Sequence, residues 1–306
     1  GSWGFARGGT GAVADAIAGA FQAEGGELRT EAGVDKFIVK NGKITGVALD
    51  NGEEIHANVV VSAMDVKRTF LTCMDKSDLP EKFHKRVENF KIRGSSGKIN
   101  IALDGLPTFP ALPEGSPLRQ GGMHFTDSME RMERAYDDWK DGTWSKDPYL
   151  DMTIPTMTDP TMAPPGKHFM SCFIQYCPRQ LNGRDWTQED KDGFQKSVFD
   201  QISNYSPDFE DLVLHAEVRT PQDIENEIGI TEGNIFHGEL TMDQLMLNRP
   251  VPGYAQYRSP IGGLYMCGSS THPGGGIMGA PGANAAREIL SDLKRPNTVP
   301  ENFGDD

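Results

Sequence analysis

Between Gly263 and Leu290 the chain reads GLYMCGSSTHPGGGIMGAPGANAAREIL. This stretch limits the fold more than any other. Leu264 to Cys267 is a short apolar strand. Gly268 to Gly282 is a loop holding six glycines and two prolines. Ala283 to Leu290 is a helix of small residues. A strand, a glycine loop and a helix start bring backbone N–H groups together, and the helix dipole there favours an anion or an electron-rich ring. Gly274-x-Gly276-x-x-Gly279 matches the dinucleotide-binding pattern in form. That pattern belongs at the opening of a βαβ unit of about 30 residues with an acidic residue about 20 further on. The sequence given ends at Asp306, too soon for the second strand. The loop is therefore expected to close over a cofactor whose diphosphate is held elsewhere, the plainer alternative being a tight loop that serves packing alone.

Upstream, residues 8–24 read as a glycine turn and a helix with Val13, Ile17 and Phe21 on one face, ended by Gly25 and Gly26. Small residues on that face are expected to let the helix lie close to a sheet. Short strands come next at 27–30, 34–40, 43–49 and 54–56, with Asn41-Gly42 as a hairpin turn. Residues 58–62, NVVVS, suit a strand buried on both faces. After Ala63 the pattern changes. Residues 65–90 read as helical, 98–103 and 168–176 as strands, and 107–122 as a loop. A helix over 127–140 is expected to turn Met129, Met132, Tyr136 and Trp139 inward, and another runs from Thr187 to Tyr205. The reading is one mixed α+β domain, 65–250, inserted between the two pieces of another, 1–64 and 251–306.

Forty-four acidic residues against 30 basic ones leave a net charge of −14. That argues against nucleic acid, which needs clustered Lys and Arg, and against anionic membrane surfaces. No apolar run approaches the ~20 residues of a membrane span, and no signal peptide opens the sequence. No stable membrane insertion and a cytoplasmic protein are expected. Cys73, Cys172, Cys177 and Cys267 form no Cys-x-x-Cys pair and are expected as free thiols. His56, His84, His124, His168 and His215 show no metal-ligand spacing, and no metal is expected. Ser269, Ser270 and His272 make no hydrolase site, because no nucleophile elbow surrounds them.

The string GSSTHPGGGIMGAPGANAA resembles the C-terminal FAD signature of the phytoene-desaturase-like flavoproteins, above all their phytoene dehydrogenase-related branch. WGFARGGTGAVADAIA at 3–18, the run from Thr30 to Met64, DPTMAPPGKHF at 159–169 and GNIFHGELTMDQL at 233–245 fit the same branch in order. The resemblance implies an α/β plus α+β architecture like that of amine oxidases: a discontinuous Rossmann-like FAD-binding domain with an inserted mixed-sheet substrate domain. The family's N-terminal G-x-G-x-x-G segment and acidic ribose partner are not in this sequence. A C-terminal fragment is therefore expected, inactive alone and binding FAD weakly or not at all.

By the same resemblance, Val34 matches the position at the adenine end of FAD, and Gly268 and Ser269 match the turn by the pyrophosphate and ribityl chain. His272, Pro273, Gly274, Gly275, Gly276, Met278, Gly279 and Ala280 match the loop along the isoalloxazine ring. Arg7, Gly8, Gly9 and His237 are the substrate-side candidates, and the substrate pocket is expected among 92–180 and 233–258. The implied activity is hydride removal from a substrate C–H or C–N bond to flavin N5, which needs no dedicated base. Two alternatives stand beside it: a non-catalytic interaction module that keeps the fold, and an isoprenoid or lipid desaturase or saturase. The expected partners are a small-molecule substrate and a second copy of the chain.

Overall fold

The computed structural model describes residues 4–113 and 115–295. Trp3 of the first family string and the tail beyond 295 lie outside the described residues. In chain order the elements are α1 (Gly11–Ala23), β1 (Val34–Lys40), β2 (Lys43–Leu49), β3 (Glu54–His56), β4 (Val60–Ser62), α2 (Glu81–Glu88), β5 (Ser96–Leu103), β6 (Met123–Phe125), α3 (Met129–Lys140), β7 (Tyr149–Thr153), β8 (His168–Gln175), α4 (Gln188–Ser203), β9 (Val213–Arg219), α5 (Pro221–Ile228), β10 (Leu264–Met266) and α6 (Ala280–Asp292). They fall into two compact units. Residues 4–28 with 94–227 form one, and 29–93 with 228–295 form the other.

The first unit is built on an antiparallel sheet of order β6-β7-β8-β5-β9. Alternation sorts its side chains. Ile99, Ile101, Leu103, Leu150, Met152, Met170, Cys172 and Ile174 are buried on one face. Phe194, Val198 and Ile202, spaced one helical turn apart on α4, cover them. Each such burial contributes about 1.5–3 kcal/mol. Helix α4 begins where the sequence suggests: the Thr187 hydroxyl accepts from the Asp190 amide, and the Asp190 carboxylate accepts from the Thr187 amide.

The second unit holds the antiparallel sheet β1-β2-β3 and the parallel pair β4-β10. Asn41 and Gly42, with φ of 52° and 72°, make the expected tight turn. Val60 pairs with Leu264 and Ser62 with Met266, so the two strands end side by side. Phe37, Ile44, Val66, Phe70, Phe83, Val87, Leu264 and Met266 share this unit's core.

Several expectations change. The boundaries expected at 64/65 and 250/251 fall at 28/29, 93/94 and 227/228 instead, because the apolar side chains of 66–92 pack with Phe37, Ile44 and Leu264. Where a mixed sheet was expected in the inserted domain, all pairings are antiparallel. No residue of α1 is buried, and Ile17 and Phe21 stay 63% and 52% exposed. Periodicity marks the apolar face of a helix without saying what covers it. Met129 and Met132 point outward while Ala135 and Trp139 point in. Val61 is exposed, so β4 is not buried on both faces. Residues 27–30 form no strand, and 65–90 contains only one short α-helix, α2, after a π-turn and a 3-10 turn. The last helix begins at Ala280, not Ala283. Gly279, at φ 64°, supplies the left-handed residue before it, and Pro281 fits the first turn because no acceptor awaits its missing N–H.

Candidate functional site

The parallel ends of β4 and β10 create the site's floor. The Cys267 amide donates to the Ser62 carbonyl at 2.9 Å. Gly268 then passes so near the other strand that a Cβ would stand 2.2 Å from the Ala63 carbonyl oxygen, so only glycine fits. Side chains fix the path of the next residues. Ser270, fully buried, donates to the His237 carbonyl at 2.7 Å and accepts from the Val66 amide at 3.1 Å. The Thr271 hydroxyl donates back to the Gly268 carbonyl at 2.7 Å. The Tyr257 hydroxyl donates to the His272 carbonyl at 2.7 Å and accepts from Asn284 of α6 at 2.9 Å. Beyond Pro273 the loop turns outward: Gly276, Ile277, Met278 and Gly279 are exposed. The loop is anchored at its first half and presents its second half as surface.

Arg249 carries one of those anchors. Its side chain is 1% exposed, and its guanidinium donates to three carbonyls: Ser269 at 2.9 Å, Glu239 at 3.5 Å and Phe236. Burial without a carboxylate partner lowers its pKa to about 10. Nothing in the sequence singles this residue out other than its place ahead of Pro250.

Beside the strand ends lies a cavity of about 400 Å³ lined by Gly33, Val34, Ala63, Met64, Asp65, Arg68, Ile228, Gly229, Ile230 and His237. This lies within the range of small-molecule sites. Asp65 organises it. One carboxylate oxygen accepts from the amides of Lys67 and Arg68 and from the Thr231 hydroxyl, and the other from the Thr231 amide. His237 holds a backbone φ of 53° and buries its Nδ1 without a hydrogen-bond partner. Burial pushes its pKa down, against the pull of the Asp65 charge.

The predicted residues thus separate. Val34 and His237 share this cavity, and Gly268 touches its Ala63 wall. Arg7, Gly8 and Gly9 belong to the other unit, where the Gly8 amide donates to Asp159 at 2.6 Å. That bond, with those from Thr161, holds the Asp159 carboxyl below its usual range. So His237, a substrate-side candidate, shares a cavity with Val34, the residue expected at the adenine end. The spacing of the histidine from the glycine loop hides this, since the link is a single hydrogen bond from Ser270.

Lys98 is not among the residues expected from the sequence. It lies on the face of the five-stranded sheet opposite the core, with Asn100, Asp151, Ser171 and Phe173. Its ammonium donates to the Ser171 hydroxyl, and burial lowers its pKa. A lysine inside an otherwise alternating apolar strand was the available signal. The nearby Cys172 thiol is pushed up to about 12 by burial and is unreactive. Among the described residues no cluster of His, Cys, Asp and Glu could hold a metal ion, and no helix is long and apolar enough to cross a membrane.

The fold and the glycine loop are those of a flavoprotein class, and likeness to known proteins agrees. The family described as flavin containing amine oxidoreductase matches residues 1–290, and the chain belongs to that family. It is similar to the pyridine nucleotide-disulfide oxidoreductase domain-containing protein 2 of Rattus norvegicus, at 41% identity over 96% of this chain and 52% of the relative. The lycopene-forming phytoene desaturase of Pseudescherichia vulneris is 27% identical over 95% of this chain and 57% of its own length. Among solved structures, an oxidoreductase from Methanosarcina mazei superposes with a TM-score of 0.54 at 18% identity, over 94% of this chain and 55% of that one, a likeness of fold. The chain spans about half the length of the relatives it matches.

The residues present fit the family's cofactor. The cavity is large enough for part of a dinucleotide. It offers a guanidinium and a buried imidazole nitrogen with no partner among the described residues, and Gly268 leaves the strand ends open to close approach.

Proposed function

We propose that this chain supplies part of an FAD site, and that the whole protein is an FAD-dependent oxidoreductase of the dehydrogenase or desaturase type. One observation carries the reading: Val34, Ala63 and the Gly268 turn converge on one edge of the second unit. FAD, when bound, supplies the hydride acceptor, and the protein orients it. In this reading Val34 and Ala63 line the adenylate end. Gly268 and Ser269 shape the turn beside the ribityl chain, and His272 to Ala280 form the surface along the ring. Tyr257 and Arg249 hold that loop by its carbonyls. The hydrogen-bonding face around Lys98, with Asn100, Asp151 and Ser171, favours a substrate bearing polar groups over a bare isoprenoid.

The test is the full-length protein, purified in the presence of FAD. It should retain a flavin band at about 450 nm after desalting. A colourless, folded protein with the band recovered in the filtrate would remove the reading.

A further inference from the structure

Arg68 is out of keeping with the rest of the surface. Acidic residues outnumber basic ones 44 to 30, so carboxylates are plentiful. Many of the described arginines hold one: Arg29 pairs with Glu53, Arg131 with Asp127 and Asp147, Arg184 with Asp190, Arg258 with Asp292. The Arg68 guanidinium, half-buried in the cavity wall, has no hydrogen-bond or ion-pair partner among the described residues, although Asp65 is three residues away. Asp65 is occupied by Thr231 and by two backbone amides, one of them that of Arg68 itself.

Gly229 and its loop border the guanidinium. Gly229 leans against it: a Cβ there would stand 3.0 Å from the Arg68 Cζ and 3.2 Å from Nη1, and φ is +81°. The loop carrying Gly229 is fastened by the bonds from Thr231 to Asp65. On the same cavity, His237 keeps its Nδ1 buried without a partner, in a backbone conformation that disfavours most residues. Ser270 holds the His237 carbonyl and so ties this corner to the turn after Gly268. An unpaired planar guanidinium matches the paired oxygens of a phosphate. The apolar Val34 and Met64 beside it offer a wall for a flat base.

We infer that Arg68 and His237 form an anion-recognising corner for the diphosphate of an adenine dinucleotide, with the adenosine lying toward Gly33 and Val34. The inference rests on the FAD reading above and deepens it. It places on this chain a share of the phosphate recognition that the glycine pattern alone would assign to another segment. Arg68 gives charge and a two-pronged donor set, His237 gives one further polar contact, and Gly229 leaves the guanidinium room that a side chain would take.

The test is a ligand-observed NMR titration of the 306-residue protein with ADP, inorganic pyrophosphate and riboflavin, each alone. ADP and pyrophosphate should bind and riboflavin should not. Arg68→Gln should weaken ADP at least about tenfold, and Arg68→Lys should recover part of that loss. His237→Asn, chosen because asparagine tolerates a positive φ, should weaken ADP several-fold with the fold unchanged by circular dichroism. Arg134→Gln, on an arginine of the other unit, should leave ADP affinity as it was. Absence of ADP binding, equal affinity in Arg68→Gln, or equal weakening by Arg134→Gln would overturn the assignment. The two readings fail separately: a full-length protein without a flavin band but with Arg68-dependent ADP binding sinks the flavin reading and leaves the phosphate corner standing.

Discussion

At the scale of single residues, two buried cations have opposite significance. Arg249 serves structure first. Its guanidinium satisfies three carbonyls from two loops. Arg249→Met would take the donor from the Ser269 and Phe236 carbonyls, Glu239 keeping Gln244, at about 1 kcal/mol or more each, so roughly 2 kcal/mol is the expected loss. Urea unfolding at neutral pH measures it, and a loss under about 1 kcal/mol would show that water reaches the site. Lys98 costs stability. Its folded pKa is lowered from 10.5 by burial, so its charged form is disfavoured in the fold. The folded state releases that proton at a lower pH than the unfolded chain does, and stability rises as pH climbs through the interval between the two values. Lys98→Met removes the burden and should leave the fold as stable or firmer. Urea unfolding checks it, and a variant less stable than the wild type would show that the bond from the Lys98 ammonium to Ser171 outweighs the cost of burial.

Among the elements, the two helices whose ends matter most are held by different chemistry. Helix α4 begins on a reciprocal cap, and Arg184 adds a paired contact to the same Asp190 carboxylate at 2.6 and 2.8 Å. Arg184 and Thr187 hold the Asp190 carboxyl far below the usual range. The cap is therefore at full strength above the ordinary carboxylate pKa, about 4, and is lost as pH falls through the lowered one. Hydrogen exchange along 188–192 should accelerate in strong acid, and Thr187→Ala, costing about 1 kcal/mol, should accelerate it already at neutral pH. Helix α6 has no side-chain cap at all. Its Asn284 leans on Tyr257, which holds the His272 carbonyl. Tyr257→Phe should raise exchange at 272–279 while leaving α4 as before.

This contrast explains which features are legible in the sequence. The Thr187-x-x-Asp190 cap and the Asn41-Gly42 turn are local, and residues one or three apart announce them. The glycine loop was legible because a backbone path that tight admits few residues. The site's support was not. Arg249 reaches Ser269, Tyr257 reaches His272, and Asp65 reaches Thr231 across 166 positions, and no spacing rule connects such pairs. Lys98 was missed because its meaning depends on which strands flank it.

At the scale of the whole molecule, the described residues hold two apolar cores, one under the five-stranded sheet and one around Phe37, Phe70, Phe83 and Leu264. The chain passes between the units three times, so neither is a continuous segment. Whether the cores unfold as one or as two is a question of energetics that a change confined to one unit decides. Trp139, Trp144 and Trp186 all lie in the first unit, the last two stacked at 5.3 Å between ring centres. These are three of the four tryptophans, Trp3 lying outside the described residues, so tryptophan fluorescence tracks chiefly that unit. Arg249 lies in the second, and its loss falls entirely there. If the cores are separately cooperative, Arg249→Met should lower one melting transition by roughly 10 °C, seen by far-ultraviolet circular dichroism, and leave the tryptophan transition where it is in the wild type. We expect this outcome, because each core's cluster is closed on its own elements. Coincident shifts in both signals would mean that the two units melt as a single cooperative body, and that the division is one of geometry only.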